Sequence, residues 1–217
     1  MPELRLFFEK AGPAKWLSHL DVMHTLSRAF LRGGVPLRHS EGFNPHPYLS
    51  IAHPLPVGVE GLREVLDVET ERADLSAGEI ADRINATLPE GLHVLSAGQP
   101  AEAAKKIAFA VYRLRFCYDG ETPDGEALAE FFSRDPIPVM KRTKKGESEI
   151  NLHAAYTAFR VEGAEPGCIT AETVVDASQA PINPKYFEAA LQNTPLAPSQ
   201  LLAARVGFLN TEGKRFE

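Results

Sequence analysis

Apolar residues change rhythm several times along this chain, and each change marks an element. Residues 3–9 (ELRLFFE) form a short apolar and aromatic run that suits a first strand. Val22, Leu26, Ala29 and Phe30 then recur at helical spacing, a stripe for a core. Ser18 stands as N-cap with Asp21 three residues on, a capping box with Asp replacing the usual Glu. Leu17 and Val22 have the spacing of a hydrophobic staple, and Gly33-Gly34 ends the helix near Arg32. A strand is expected near Val35–His39, followed by a proline-rich loop. REVLDVE (63–69) alternates as a half-buried strand does. Ser76 and Glu79 form a second capping box ahead of Ile80, Ile84 and Leu88, and Pro89-Glu90-Gly91 stops that helix. LHVLSAG (92–98) reads as the closing strand. The order β-α-β-β-α-β is the pattern of a ferredoxin-like split βαβ sandwich.

Gln99–Lys106 is a polar, alanine-rich joint, and the pattern loosely recurs beyond it. Residues 108–119 are strand-like and 124–133 helix-like. Strand candidates at 138–143 and 148–152 flank a turn at 144–146, and further ones fall at 159–162 and 169–175. Asn183 can cap a helix with Pro184 at its first position, and 201–209 would close the sheet. The expectation is an α+β protein of two tandem ferredoxin-like (βαββαβ) units, over 1–100 and 107–217, the second with one strand candidate too many.

The 217 residues, 44% hydrophobic and 24% charged, supply enough apolar surface for two cores of about 100 residues each. A net charge of −6 argues against whole-molecule attraction to nucleic acid or anionic lipid and leaves room for a local basic face. No apolar run approaches the roughly 20 residues of a membrane span, and the N-terminus lacks a signal-peptide pattern. The only two cysteines, Cys117 and Cys168, give no disulfide framework and suit a reducing cytosol. A cytoplasmic location is the expectation.

Five of the seven histidines fall between His19 and His53. On the first helix Asp21, Thr25, Arg28 and Arg32 share one side, opposite the apolar stripe. That face can bind anions through its guanidinium groups, or it can be a solvated face with a weak surface network. The loop from His39 to Gly58 carries four prolines, which lower the entropy lost on ordering, and it can hold Ser40, Asn44, His46 and His53 in fixed places. His39, His46 and His53 recur every seven residues, and Glu41 or Asp21 could complete a ligand set. The spacing matches no zinc box, so the histidines are read as bonded to backbone or ligand, with no metal and no cofactor. His19, at the first helical position, is read both as local packing and as part of the Ser18–Asp21 site. Lys141, Arg142, Lys144 and Lys145 form the one dense basic run, either a phosphate-gripping hairpin tip or a solubilising turn. The usual nucleotide-loop, zinc-protease and nucleophile-elbow patterns are absent from the sequence.

Ser18-His19-Leu20-Asp21, Arg28, GFNPHP (42–47), Leu49-Ser50 and PLPVG (54–58) with Glu60 resemble the radical-SAM-linked domain family of unknown function, as does the 141–146 run. Its members stand alone or are fused behind a cobalamin-binding radical-SAM enzyme. The resemblance implies a radical-SAM enzyme as partner, since two cysteines cannot supply the three ligands of such an enzyme's iron–sulfur cluster. Tandem ferredoxin-like units are also similar to CRISPR repeat-processing endoribonucleases, at the level of fold alone.

Together these readings lead to a non-catalytic recognition module that binds a phosphate-bearing substrate, RNA above all, as accessory to a radical-SAM enzyme. Arg28, Arg32, Arg38 and His46 would meet anionic groups, Asn44 and Ser50 would position the ligand, and the 141–145 run would add a second phosphate contact. The competing expectation is a metal-independent RNA-processing or transferase enzyme, with His46 or His53 as general base and Arg28 stabilising the developing charge.

Overall fold

A computed structural model describes residues 4–143, 146–179 and 181–217. The fold is α+β and divides into two compact units, Met1–Lys106 with Arg215–Glu217, and Ile107–Lys214. Among the described residues no helix is long and apolar enough to cross a membrane.

The first unit runs β1 (Leu4–Lys10), α1 (His19–Arg32), β2 (Leu49–Ile51), β3 (Glu60–Val68), α2 (Ala77–Asn85) and β4 (Leu92–Gly98). Its strands lie in the order β4-β1-β3-β2, each antiparallel to its neighbour. Alternation along β1 sends Leu4, Leu6 and Phe8 to the helix-covered face, where they join Val22, Leu26, Phe30, Ile80 and Ile84 in the core. The strand expected at Val35–His39 is absent. Pro36 cannot donate to a ladder, and the segment makes only isolated bridges, Leu37 to Thr70 and His39 to Pro47. The hydrogen-bonded strand is the later Leu-Ser-Ile, paired with Leu66–Val68.

The other face of this sheet carries Arg5 and Phe7, and residues 215–217 close over it. Phe216 is fully buried, with the Arg5 guanidinium 4.8 Å from its ring centroid. Arg63 stacks 3.5 Å from the Phe7 ring centroid and donates to the Phe216 carbonyl at 2.7 Å. Burial pushes the Arg63 pKa down from its ordinary value.

The second unit runs β5 (Ile107–Cys117), α3 (Gly125–Phe132), β6 (Pro138–Thr143), β7 (Gly146–Asn151), β8 (Tyr156–Glu165), β9 (Cys168–Asp176), α4 (Lys185–Leu191) and β10 (Gln200–Asn210). Its main sheet has the order β10-β5-β9-β8, and β6-β7 pair separately as a ribbon. Both strand candidates on either side of residues 144–146 thus stand outside that sheet. Phe116, Phe132, Phe159, Phe187 and Tyr156 form an aromatic cluster, with neighbouring centroids 4.3–6.4 Å apart. Pro184 takes the cap position of α4, and the Asn183 carboxamide oxygen accepts from Lys185 N at 3.1 Å.

One sequence expectation is corrected outright. Cys117 and Cys168 are bonded to each other, because the β5–β9 register places them directly opposite. Their separation of 51 residues conceals a cross-strand pair.

Candidate functional site

Helix α1 begins where local chemistry fixes it. The Ser18 hydroxyl accepts from Asp21 N at 3.2 Å, and the Asp21 carboxylate accepts from Ser18 N and Oγ at 3.2 and 2.6 Å. These bonds hold the Asp21 pKa below the ordinary carboxylate value. Just before the cap, the Leu17 carbonyl accepts from Lys10 Nζ at 2.9 Å. Lys10 and Glu64 are 2% and 1% exposed, on the helix face of the sheet, and with His19 they line a void about the size of one water molecule. The Glu64 side chain folds over Gly61, the residue opposite Lys10 in the β1–β3 pair. Ser18, Asp21 and His19 are therefore placed at the start of α1, above two buried charged side chains.

Further along α1, Ser27 and Arg28 share a cleft of about 140 Å³ with His39 and Pro36. The chain reaches this position because Gly34, at φ +69°, reverses it after the helix and Val35 N bonds back to the Phe30 carbonyl at 2.9 Å. His39 Nδ1 lies 2.9 Å from the Leu37 carbonyl. A carbonyl can only accept, so Nδ1 carries the proton and neutral His39 keeps Nε2 as a lone pair. Among the described residues Arg28 and Arg32 form no ion pair. Arg38 does, with Glu69 at 3.3 Å.

The loop beyond His39 closes on itself. Ser40 N donates to the His46 carbonyl at 2.9 Å, and the Ser40 hydroxyl takes the His46 N–H at 3.1 Å and lies 2.9 Å from His46 Nδ1. Asn44 is exposed at the tip beside the fully exposed Phe43. His46 and Ser50 line a second, larger cleft of about 430 Å³, together with Tyr48, Asp67 and Glu69. Asp67 is occupied by Arg5, through bonds of 2.7 and 2.9 Å. Arg28 and His46 thus line different clefts, and His53 is half-buried in the proline-rich segment that follows. Among the described residues no three His, Cys, Asp or Glu side chains are grouped to hold a metal ion.

In the second unit Lys141 and Arg142 sit on β6, opposite Ser148 and Glu147 of β7. Lys144 and Lys145 lie outside the described residues. Lys141 also lines an open groove of about 660 Å³ whose far side is formed by the segment leading into α4.

Residues 3–184 match the family described as "Uncharacterized protein conserved in bacteria (DUF2344)". The chain belongs to this family. No curated protein is similar to this DUF2344 chain. Among solved structures it is similar to a chain of a Cbf5-Nop10-Gar1 complex, with a TM-score of 0.51 and 11% identity over 94% of its length. A chain from an H/ACA RNP bound to a substrate RNA containing 2'-deoxyuridine gives a TM-score of 0.48 and 10% identity over 94%. The DUF2344 chain spans about half of each, 49% and 47%. The likeness is one of fold.

Reasoning from the DUF2344 sequence named Arg28 and His39 separately, and the structure brings them together with Ser27, which it missed. It also missed Lys10 and Glu64. The signal for these was visible as ionisable residues on the apolar face of two strands, where an unpaired charge is costly and a partner must exist.

Proposed function

We propose that this protein is a non-catalytic recognition module that binds a phosphate-bearing substrate, RNA, as accessory to a radical-SAM enzyme. The reading is carried by one observation: among the described residues Arg28 has no counter-ion, and it shares a cleft with Ser27 and His39. Its guanidinium offers a planar pair of donors to phosphate, and the Ser27 hydroxyl adds a third. Arg32 extends the same helix face. Arg38, already paired with Glu69, has a smaller part, and Ser50 and His46 border a cleft that holds two carboxylates. The radical-SAM partner rests on the sequence motifs of residues 18–60 and the 141–146 run.

The same reading takes both units as ferredoxin-like. In each, the fourth strand lies beside the first and the third beside the second, with β6-β7 inserted after the helix of the second repeat. The enzyme alternative gains no support from Arg28 and His46, which face different clefts.

Filter binding of labelled structured RNA across a salt series tests the proposal. Arg28→Ala should weaken binding about tenfold and flatten the salt dependence by roughly one ion, at an unchanged melting temperature. Equal binding by wild type and variant, or none by either, would end it. Crosslinked pull-down from native lysate should recover a radical-SAM enzyme; recovery of none removes that part.

A further inference from the structure

The groove of the second unit has no role so far beyond the phosphate contact expected of Lys141. It is lined by Lys141 on β6 and Lys185 on α4, and among the described residues neither lysine forms an ion pair. Its volume, about 660 Å³, is that of a small-molecule site. Ala154, Pro181 and Ile182 supply an apolar wall. Among the described residues one carboxylate lines the groove, that of Asp176, which accepts from Ser178 N at 2.7 Å. Bonds from the Ser178 hydroxyl and N–H hold its pKa below the ordinary carboxylate value, so it stays an acceptor at neutral pH.

We infer that this groove takes a nucleotide of single-stranded RNA, with Lys141 and Lys185 on the phosphate, the base against the apolar wall, and Asp176 accepting from the ribose 2′-hydroxyl. Two cations and an apolar surface suit any single strand. An ionised acceptor in the same groove repels phosphate and is repaid by a donor such as the 2′-hydroxyl, which ribose has and deoxyribose lacks. The inference rests on the RNA reading above and adds a second, separate site to it.

The test is fluorescence anisotropy of the full chain with short labelled oligouridylate and oligodeoxyuridylate, over a salt series. Lys141→Gln and Lys185→Gln should each weaken RNA binding several-fold and reduce the slope of log affinity against log salt by about 0.7. Asp176→Asn should strengthen DNA binding, by removing the repulsion, and cut the preference for RNA at least threefold. Wild-type affinity in both lysine variants, equal wild-type affinity for RNA and DNA, or equal competition by oligoglutamate would overturn the inference. If Arg28→Ala abolishes binding while the lysine variants do not, the groove is excluded and the α1 site stands. If no variant differs because nothing binds, both fall.

Discussion

Replacing Gly61 with alanine puts the buried charges beneath α1 to the test. A Cβ at this position would lie 2.6 Å from both Cγ and Oε1 of Glu64 and 2.8 Å from its Cδ. An exposed glutamate would swing aside at little cost. Glu64 is 1% exposed, so its side chain can move only by displacing packed neighbours. Overpacking costs about 1–3 kcal/mol. A carboxylate pushed off its buried partners adds about 1–3 kcal/mol more. The expected loss is therefore roughly 2–6 kcal/mol, a shift of about 1–3 M in the urea midpoint for a slope of about 2 kcal/mol per M. Trp16, the only tryptophan, lies in the first unit, so its fluorescence reports that unit's unfolding. Gly78→Ala is the control: a Cβ there meets nothing within 4 Å, and alanine in α2 should raise stability by about 0.5–1 kcal/mol. The decisive comparison is Gly61→Ala in a Glu64→Ala background, where the added cost should fall below about 1 kcal/mol. A Gly61→Ala midpoint equal to wild type, or the same cost with and without Glu64, would refute the reasoning.

Gly91→Ala should cost about 2–5 kcal/mol by the same assay, because φ is +86° and the new Cβ would collide with the Ala11 carbonyl oxygen. Gly12→Ala, at φ +53° with open space, should cost only about 1–2 kcal/mol, and equal losses would show that the close approach is immaterial. Hydrogen bonding from Arg72 lowers the Asp74 pKa from 3.8 to about 2. Its stabilising contribution is complete above pH 3.8 and is lost as pH falls through about 2. NMR titration should find the low midpoint and Arg72→Ala should return it towards 3.8; an unmoved midpoint rejects the pairing. Burial, helped by Asp135, raises the Tyr156 pKa from 10.0 to about 12. Its contribution is complete below pH 10.0 and is lost as pH rises through about 12, so Tyr156→Phe should flatten the alkaline limb of a circular-dichroism melt series.

Both capped helices of the first unit were legible because a capping box is a bond between near neighbours in sequence. Ser18 with Asp21 and Ser76 with Glu79 announce themselves without tertiary context. The β2 strand was not legible. Val35–His39 has as good an apolar alternation as Leu49–Ile51, and what decides is which segment finds Leu66–Val68 as its ladder partner. The Cys117–Cys168 bond hid for the same reason, since pairing follows from strand register and not from spacing. At the candidate site the sequence displayed Arg28 plainly. That His39 would stand beside it depended on the tight reversal at Gly34, which sets direction rather than composition. Lys185 and Asp176 carried no motif, and only the fold places them around one groove.

Phe216 gives the molecule an unusual order of assembly. A ribosome delivers this wedge more than a hundred residues after the strands that receive it, so Arg5 and Arg63 must wait, solvated, while 107–214 is made. Cutting the gene at the polar joint would orphan that seat, leaving the amino-terminal piece short of its own plug. Dissection into independent halves should instead excise 107–214 and splice 106 to 215, treating the second unit as a guest within the first.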